Sequence, residues 1–147
     1  MPRRQESWAV EIFKRHQADD PTENCPAEHF LLYECPKAVA KNLFATIDAV
    51  AEAPPPQFAG GGRWEAMHGE MSGYYEARTQ GPNHRLYRLF CLLEREAPGL
   101  SGPSIVLITG MSKPVGEAFT EAEYAAVRRL GEEYLRRVPR SIVRAED

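Results

Sequence analysis

The chain has 147 residues, of which 43% are hydrophobic and 10% aromatic, which suffices for one hydrophobic core but not for two. Its 18 Lys and Arg residues against 21 Asp and Glu residues give a formal net charge of -3, so no overall positive field attracts nucleic acid. No apolar run reaches the ~20 residues of a membrane span, and the first residues lack the apolar core of a secretory signal. We therefore expect one cytoplasmic domain over residues 1–147, without a membrane partner.

In the first half of the chain, the pattern predicts one strand and two helices. Aromatic and branched residues recur at every second position over 7–14, which is typical of a strand. A proline at the favoured first position begins a short helix over 26–34, and apolar residues at helical spacing predict a second helix from Lys37. We interpret 15–35 as an extra N-terminal segment and the proline- and glycine-rich stretch 51–63 as a linker inside the domain.

The second half of the chain predicts four short strands and a helix. The strands are RWEAMHG, GYYEART, HRLYRLFCLL and SIVLITGMS, an order typical of an antiparallel meander. The last of them is apolar on both faces, so we expect it at the centre of the sheet. Thr120 and Glu123 have the spacing of a capping box for a terminal helix over about 120–137, and a flexible tail is expected at 139–147.

These elements predict an α+β fold. We expect a compact, mostly antiparallel sheet with an N-terminal strand, two helices packed on it and a C-terminal helix. No phosphate-binding loop of the G-x-x-x-x-G-K-[ST] type, no G-x-S-x-G and no H-E-x-x-H occurs in the sequence. The chemistry must therefore come from another arrangement.

The cysteines are one candidate for such chemistry. Cys25, Cys35 and Cys91 are an odd and sparse set, which predicts free buried thiols rather than a disulfide framework. Cys25, His29 and Cys35 would supply three soft ligands around a short helix, but a structural zinc site needs a fourth. We therefore predict packing thiols without metal, and keep a metal-dependent or small-molecule enzyme as a weaker alternative.

Polar side chains that interrupt the predicted strands are the second candidate. In chain order they are Tyr74, Glu76, Arg78, Arg85, Tyr87, Arg88 and Lys113. Cations from adjacent strand ends would together bind one phosphate and stabilise the charge that develops on it. From the residue types alone, the alternative is a structural ion pair of Glu76 with Arg78 or Arg88.

Five short motifs follow one another over about residues 38–137. They are W-x-x-M-H-G, Y-Y-E-A-R, H-R-L-Y-R-L-F, I-V-L-I-T-G-M-S-K and T-E-A-E-Y. This order resembles the RelE/HigB-type toxin superfamily, and more closely its phage-derived HigB-like branch. The resemblance implies a compact antiparallel sheet flanked by helices, and a toxin that cleaves messenger RNA on the ribosome until an antitoxin inactivates it. It implies neither a metal nor an organic cofactor.

The resemblance also implies roles for four basic side chains. Arg88, in the Y-R motif, matches the arginine that contacts the scissile phosphate, and Arg78 matches the arginine of the E-x-R signature. Lys113 matches the basic residue after the last long strand, and His68 lies where related toxins have a basic residue. Because histidine exchanges protons readily near neutral pH, His68 is the candidate acid or base.

The remaining candidates would bind RNA. Tyr74 or Tyr87 would stack on a splayed base, with Arg85 and Glu76 beside the phosphate. A carboxylate at that point repels a phosphate unless it acts as the base, and the net charge of the chain is negative. The expected partners are messenger RNA, the ribosome and a helix-turn-helix antitoxin. The alternative is a non-catalytic RelE-like protein-binding module of phage origin.

Overall fold

A computed structural model describes residues 7–53 and 62–145, so residues 54–61 of the predicted linker lie outside the described part. The strands are β1 (Ala9–Phe13), β2 (Trp64–Ala66), β3 (Tyr74–Gly81), β4 (Arg85–Glu94), β5 (Ser104–Pro114) and β6 (Ile142–Arg144). The helices are α1 (Pro26–His29), which continues as a π-helical turn over Phe30–Glu34, α2 (Lys37–Glu52) and α3 (Glu121–Arg136). A 3-10 turn at Gly69–Met71 joins β2 to β3.

The strands form one open sheet in the order β2-β3-β4-β5-β1-β6. Strands β2 to β5 are an antiparallel meander, β1 runs parallel to β5, and β6 runs antiparallel to β1. The α+β class and the mostly antiparallel sheet are therefore confirmed. Strand β5 has three strands on one side and two on the other, and Ile105, Val106, Leu107 and Ile108 within it are fully buried. Its predicted central position is confirmed as well.

Helices cover both faces of the sheet. On one face, the apolar side of α2 buries Leu43, Ile47 and Val50 in a core that also contains residues of α1. On the other face, α3 buries Val127 and Tyr134 in a second core. Within the two described ranges, no helix combines the length and the apolar character that crossing a lipid bilayer requires.

The start of α3 is held by the predicted capping box. The Glu123 backbone N–H donates to the Thr120 hydroxyl at 3.1 Å, and the Thr120 backbone N–H donates to the Glu123 carboxylate at 2.8 Å. Each side chain thus satisfies a backbone donor that the first helical turn leaves unpaired. The end of the same helix is tied to the N-terminal segment, because Arg15 binds the buried Glu133 at 2.8 Å and Arg137 binds Asp19 at 2.9 Å.

Of the flexible tail expected over 139–147, the structure describes residues 139–145. Residues Ile142–Arg144 form β6 on the outer edge of β1, and Arg144 forms an ion pair with the buried Glu11 at 3.0 Å. A strand of three residues has no readable period of its own. Pairing with a strand more than a hundred residues away creates it.

Candidate basic site on the α3 face of the sheet

Three of the predicted basic residues come together on one face. Arg78 on β3 lies directly opposite Arg88 on β4. Lys113 on β5 pairs with Leu86, two residues before Arg88, so its side chain projects to the same side. This is the face that α3 covers, and the side chains of Lys113 and Arg88 reach Glu123 and Tyr124 in the first turn of that helix. We call Arg78, Arg88 and Lys113 the basic cluster.

Every member of the basic cluster has an acidic partner. Arg78 forms an ion pair with Glu65 on β2 at 2.8 Å, and Lys113 forms one with Glu123 on α3 at 3.0 Å. Arg88 lies 3.2 Å from Glu76. The side chains of Arg78, Arg88 and Lys113 nevertheless remain 30%, 20% and 24% exposed. All three side chains therefore keep some contact with solvent.

Glu76 is the buried centre of the basic cluster. Its side chain is only 6% exposed, and it also approaches Arg78, at 3.6 Å. Two arginines directly opposite each other on antiparallel strands repel, and a carboxylate between them offsets that repulsion. The ion pair between Glu76 and both arginines, which the residue types left open, is thus present alongside the solvent-exposed cations.

Arg88 is held from several directions. Its Nη1 atom lies 3.5 Å from the Tyr124 hydroxyl, and its guanidinium lies 4.9 Å from the centre of the Phe119 ring. Such stacking on an aromatic ring fixes the plane of the guanidinium. The Arg88 Nε atom is buried and has no hydrogen-bond partner among the described residues. Arg88 is therefore oriented while part of its donor capacity stays unused.

His68 lies at a cavity next to this arginine. The cavity has a volume of about 410 Å³ and lies between the Gly69–Met71 turn and the first half of α3. Tyr124 lines it together with the exposed His68, and the Tyr124 hydroxyl reaches Arg88. The predicted acid or base thus borders the basic cluster through one shared side chain.

The other predicted RNA-binding residues do not join the basic cluster. Tyr87 and Arg85 project to the opposite face, where Tyr87 is buried against Phe30 and Arg85 donates to the Ser112 hydroxyl at 3.0 Å. Tyr74 lies on the same face as Glu76 but is buried under α3, and this burial raises the pKa of its phenol. Neither tyrosine ring is free to stack on a base in this conformation, so we do not retain Tyr74 or Tyr87 for that role.

Sequence reasoning missed several residues of this site. They are Glu65, Phe119, Glu121, Glu123, Tyr124 and Arg128. Only the T-E-A-E-Y motif gave a signal, because it puts Glu123 and Tyr124 within the first turn of α3, one turn before Arg128. The contact of that turn with β4 and β5 depends on how the helix crosses the sheet, which no local pattern specifies.

The cysteine set lies elsewhere. Cys25 and Cys35 are half-buried near α1, and Cys91 is buried in the sheet. Burial raises the pKa of the Cys35 thiol to about 12 and that of Cys25 in the same direction. Within residues 7–53 and 62–145, no three His, Cys, Asp or Glu side chains are grouped closely enough to hold a metal ion. The metal-dependent alternative therefore has no geometric support in that part of the chain.

The fold and the site define a small α+β protein with a partly neutralised basic cluster beside a helix. Comparison of the chain with protein-family models, with curated proteins and with solved structures gives no match. The function must consequently be argued from the residues themselves.

Proposed function

We propose that this protein is a metal-independent endoribonuclease toxin of the RelE/HigB type, acting on messenger RNA at the ribosome and controlled by an antitoxin. One observation supports the proposal above the others. Arg78, Arg88 and Lys113 come from three successive strands, project to the same face of the sheet and are each partly exposed. Cations gathered in this way suit a single phosphate group.

The chemistry of RNA cleavage matches the groups around the basic cluster. Attack of the 2′-hydroxyl on the adjacent phosphate requires a base for the hydroxyl proton, cations for the pentavalent phosphate and an acid for the departing 5′-oxygen. Arg88, oriented by Glu76 and Phe119, and Lys113 would bind the phosphate. His68, at the neighbouring cavity, would act either as the base that accepts the 2′-hydroxyl proton or as the acid that protonates the departing 5′-oxygen.

Expression in bacteria tests the proposal. The wild-type chain is expected to arrest growth and to cleave translated messages, and Arg88→Ala is expected to relieve both. Lys113→Ala is a second variant. It leaves the buried Glu76 paired, because the partner of Lys113 is Glu123 in the first turn of α3. Loss of the lysine should weaken cleavage without unfolding the chain.

The chain offers a matched control on the same strand. Arg85→Ala removes a cation from β4 but on the opposite face, so it should leave growth arrest unchanged. Circular dichroism of each purified variant verifies that it is folded. Wild-type protein that is folded yet neither arrests growth nor cleaves any message would contradict the proposal.

One specific observation favours a second candidate, the non-catalytic protein-binding module. Each cation of the basic cluster is already paired with a carboxylate, so the cluster is close to neutral in the free chain. A neutral, structured surface suits a protein partner better than a polyanion. This candidate predicts a stable complex with the product of an adjacent gene and no RNA cleavage at any protein concentration.

A further inference from the structure

The cavity beside Arg88 has features of a base-binding pocket. Its volume of about 410 Å³ is within the usual range for small-ligand sites. Met67, Met71 and Tyr124 supply an apolar and aromatic lining. Thioether and aromatic groups of this kind contact flat rings well.

The polar groups of the cavity are arranged around Arg128. Its Nη2 atom lies 2.6 Å from Glu121 and 3.5 Å from Glu70, and its Nη1 atom lies 3.5 Å from the Met71 sulfur. The guanidinium is thus held between two carboxylates and the apolar lining. A guanidinium in a fixed plane is a surface on which a nucleobase can stack.

Glu121 sets what the occupant must offer. The hydrogen bond from Arg128 holds the pKa of Glu121 below its usual range, so this carboxylate is ionised at neutral pH. An ionised carboxylate only accepts hydrogen bonds, and each oxygen has more than one acceptor position. The edge of an occupant that faces Glu121 must therefore donate.

We propose that this cavity binds a guanine base of the RNA substrate, with Glu121 accepting from the guanine N1–H and the exocyclic N2 amino group. Guanine offers two adjacent donors on its Watson–Crick edge, whereas the other three bases offer only one donor group there. The Tyr124 hydroxyl, which lies 3.5 Å from Arg88, links the cavity to the basic cluster. A nucleotide whose phosphate contacts Arg88 therefore has the cavity beside it. This inference rests on the proposed function, since it assumes that the basic cluster binds RNA.

Binding of short, uncleavable RNA tests the inference. The probes are fluorescent uridine hexamers with 2′-O-methyl groups, in which one position is guanosine, inosine or adenosine, measured by fluorescence anisotropy. Guanosine is expected to bind about five- to tenfold more tightly than inosine, which lacks the N2 amino group. Glu121→Gln should reduce this ratio to near one. Glu132→Gln, an exposed carboxylate further along α3, should leave it unchanged.

The outcomes separate this inference from the proposed function. Tight binding of all hexamers without preference for guanosine would overturn the guanine pocket and leave the RNA-binding cluster standing. No binding of any hexamer would overturn the guanine pocket, whereas the proposed function is tested separately by growth arrest and cleavage of translated messages. Glu121-dependent binding of an oligo-arginine peptide, without any base preference, would assign the cavity to a basic protein segment and overturn the inference.

Discussion

Substitution of Glu76 by Gln tests how the basic cluster is held. The change keeps the size of the side chain but removes the buried negative charge that pairs with both Arg78 and Arg88. Arg78 retains Glu65, whereas Arg88 retains only the Tyr124 hydroxyl and the Phe119 ring among the contacts described above. The uncompensated charge is therefore that of Arg88.

The magnitude follows from the exposure of that arginine. Removal of one partner of a fully buried ion pair costs about 3–5 kcal/mol, and a hydrogen bond to a charged group contributes about 1.5–3 kcal/mol. Because Arg88 is 20% exposed and can still reach water, we expect a loss of about 2 kcal/mol in the free energy of unfolding. For a chain of 147 residues this lowers Tm by about 6 °C.

Thermal unfolding followed by circular dichroism measures the effect, with Glu65→Gln as the control. Glu65 also binds Arg78, but its side chain is 48% exposed, so its loss should shift Tm by less than about 2 °C. Arg88→Met combined with Glu76→Gln should be less destabilising than the sum of the two single changes. Equal shifts for Glu65→Gln and Glu76→Gln would refute the view that the buried carboxylate holds the cluster.

Three further predictions follow from the same structure. Glu123→Gln should raise RNA affinity about two- to fivefold, because Gln still completes the capping box while Lys113 loses its competing carboxylate. The hydrogen bond from Arg137 lowers the pKa of Asp19. The stability that this pair contributes is therefore present above about pH 4 and lost as the pH falls further. In urea unfolding, Asp19→Asn should lose less of its free energy of unfolding in acid than the wild-type chain does. Gly131→Ala should cost about 1–3 kcal/mol, because a Cβ there would overlap the Tyr74 hydroxyl.

Each of these predictions has its own control. Glu117→Gln removes an exposed carboxylate near the same loop and should raise RNA affinity less than Glu123→Gln does. Asp19→Asn should match the wild-type chain most closely at the acid end of the titration, and an equal loss at every pH would contradict the assignment. Gly102→Ala, where a Cβ meets open space, should be nearly neutral, and Tyr74→Phe should partly rescue Gly131→Ala.

Local patterns predicted the elements well, because each has a period or a boundary signal of its own. The apolar face of α2 recurs at helical spacing, the capping box of Thr120 and Glu123 begins α3, and β5 is apolar on both faces. Burial of such faces is the main contribution to folding free energy, so the pattern leads directly to the sheet with helices on both sides. The missed strand, β6, has only three residues and depends wholly on pairing with β1.

The basic cluster shows which features could be predicted from the sequence and which could not. Alternation along a strand correctly put Glu76 and Arg78 on one face, and the residue types allowed their ion pair. Three other features depend on the register of β3 with β4 and on the path of α3. Tyr74 is buried under a helix, Tyr87 belongs to the other core, and Tyr124 joins Arg88 to the cavity. Burial and contact between elements are properties of the whole packed chain, so only the tertiary structure determined which of the candidate side chains face solvent together.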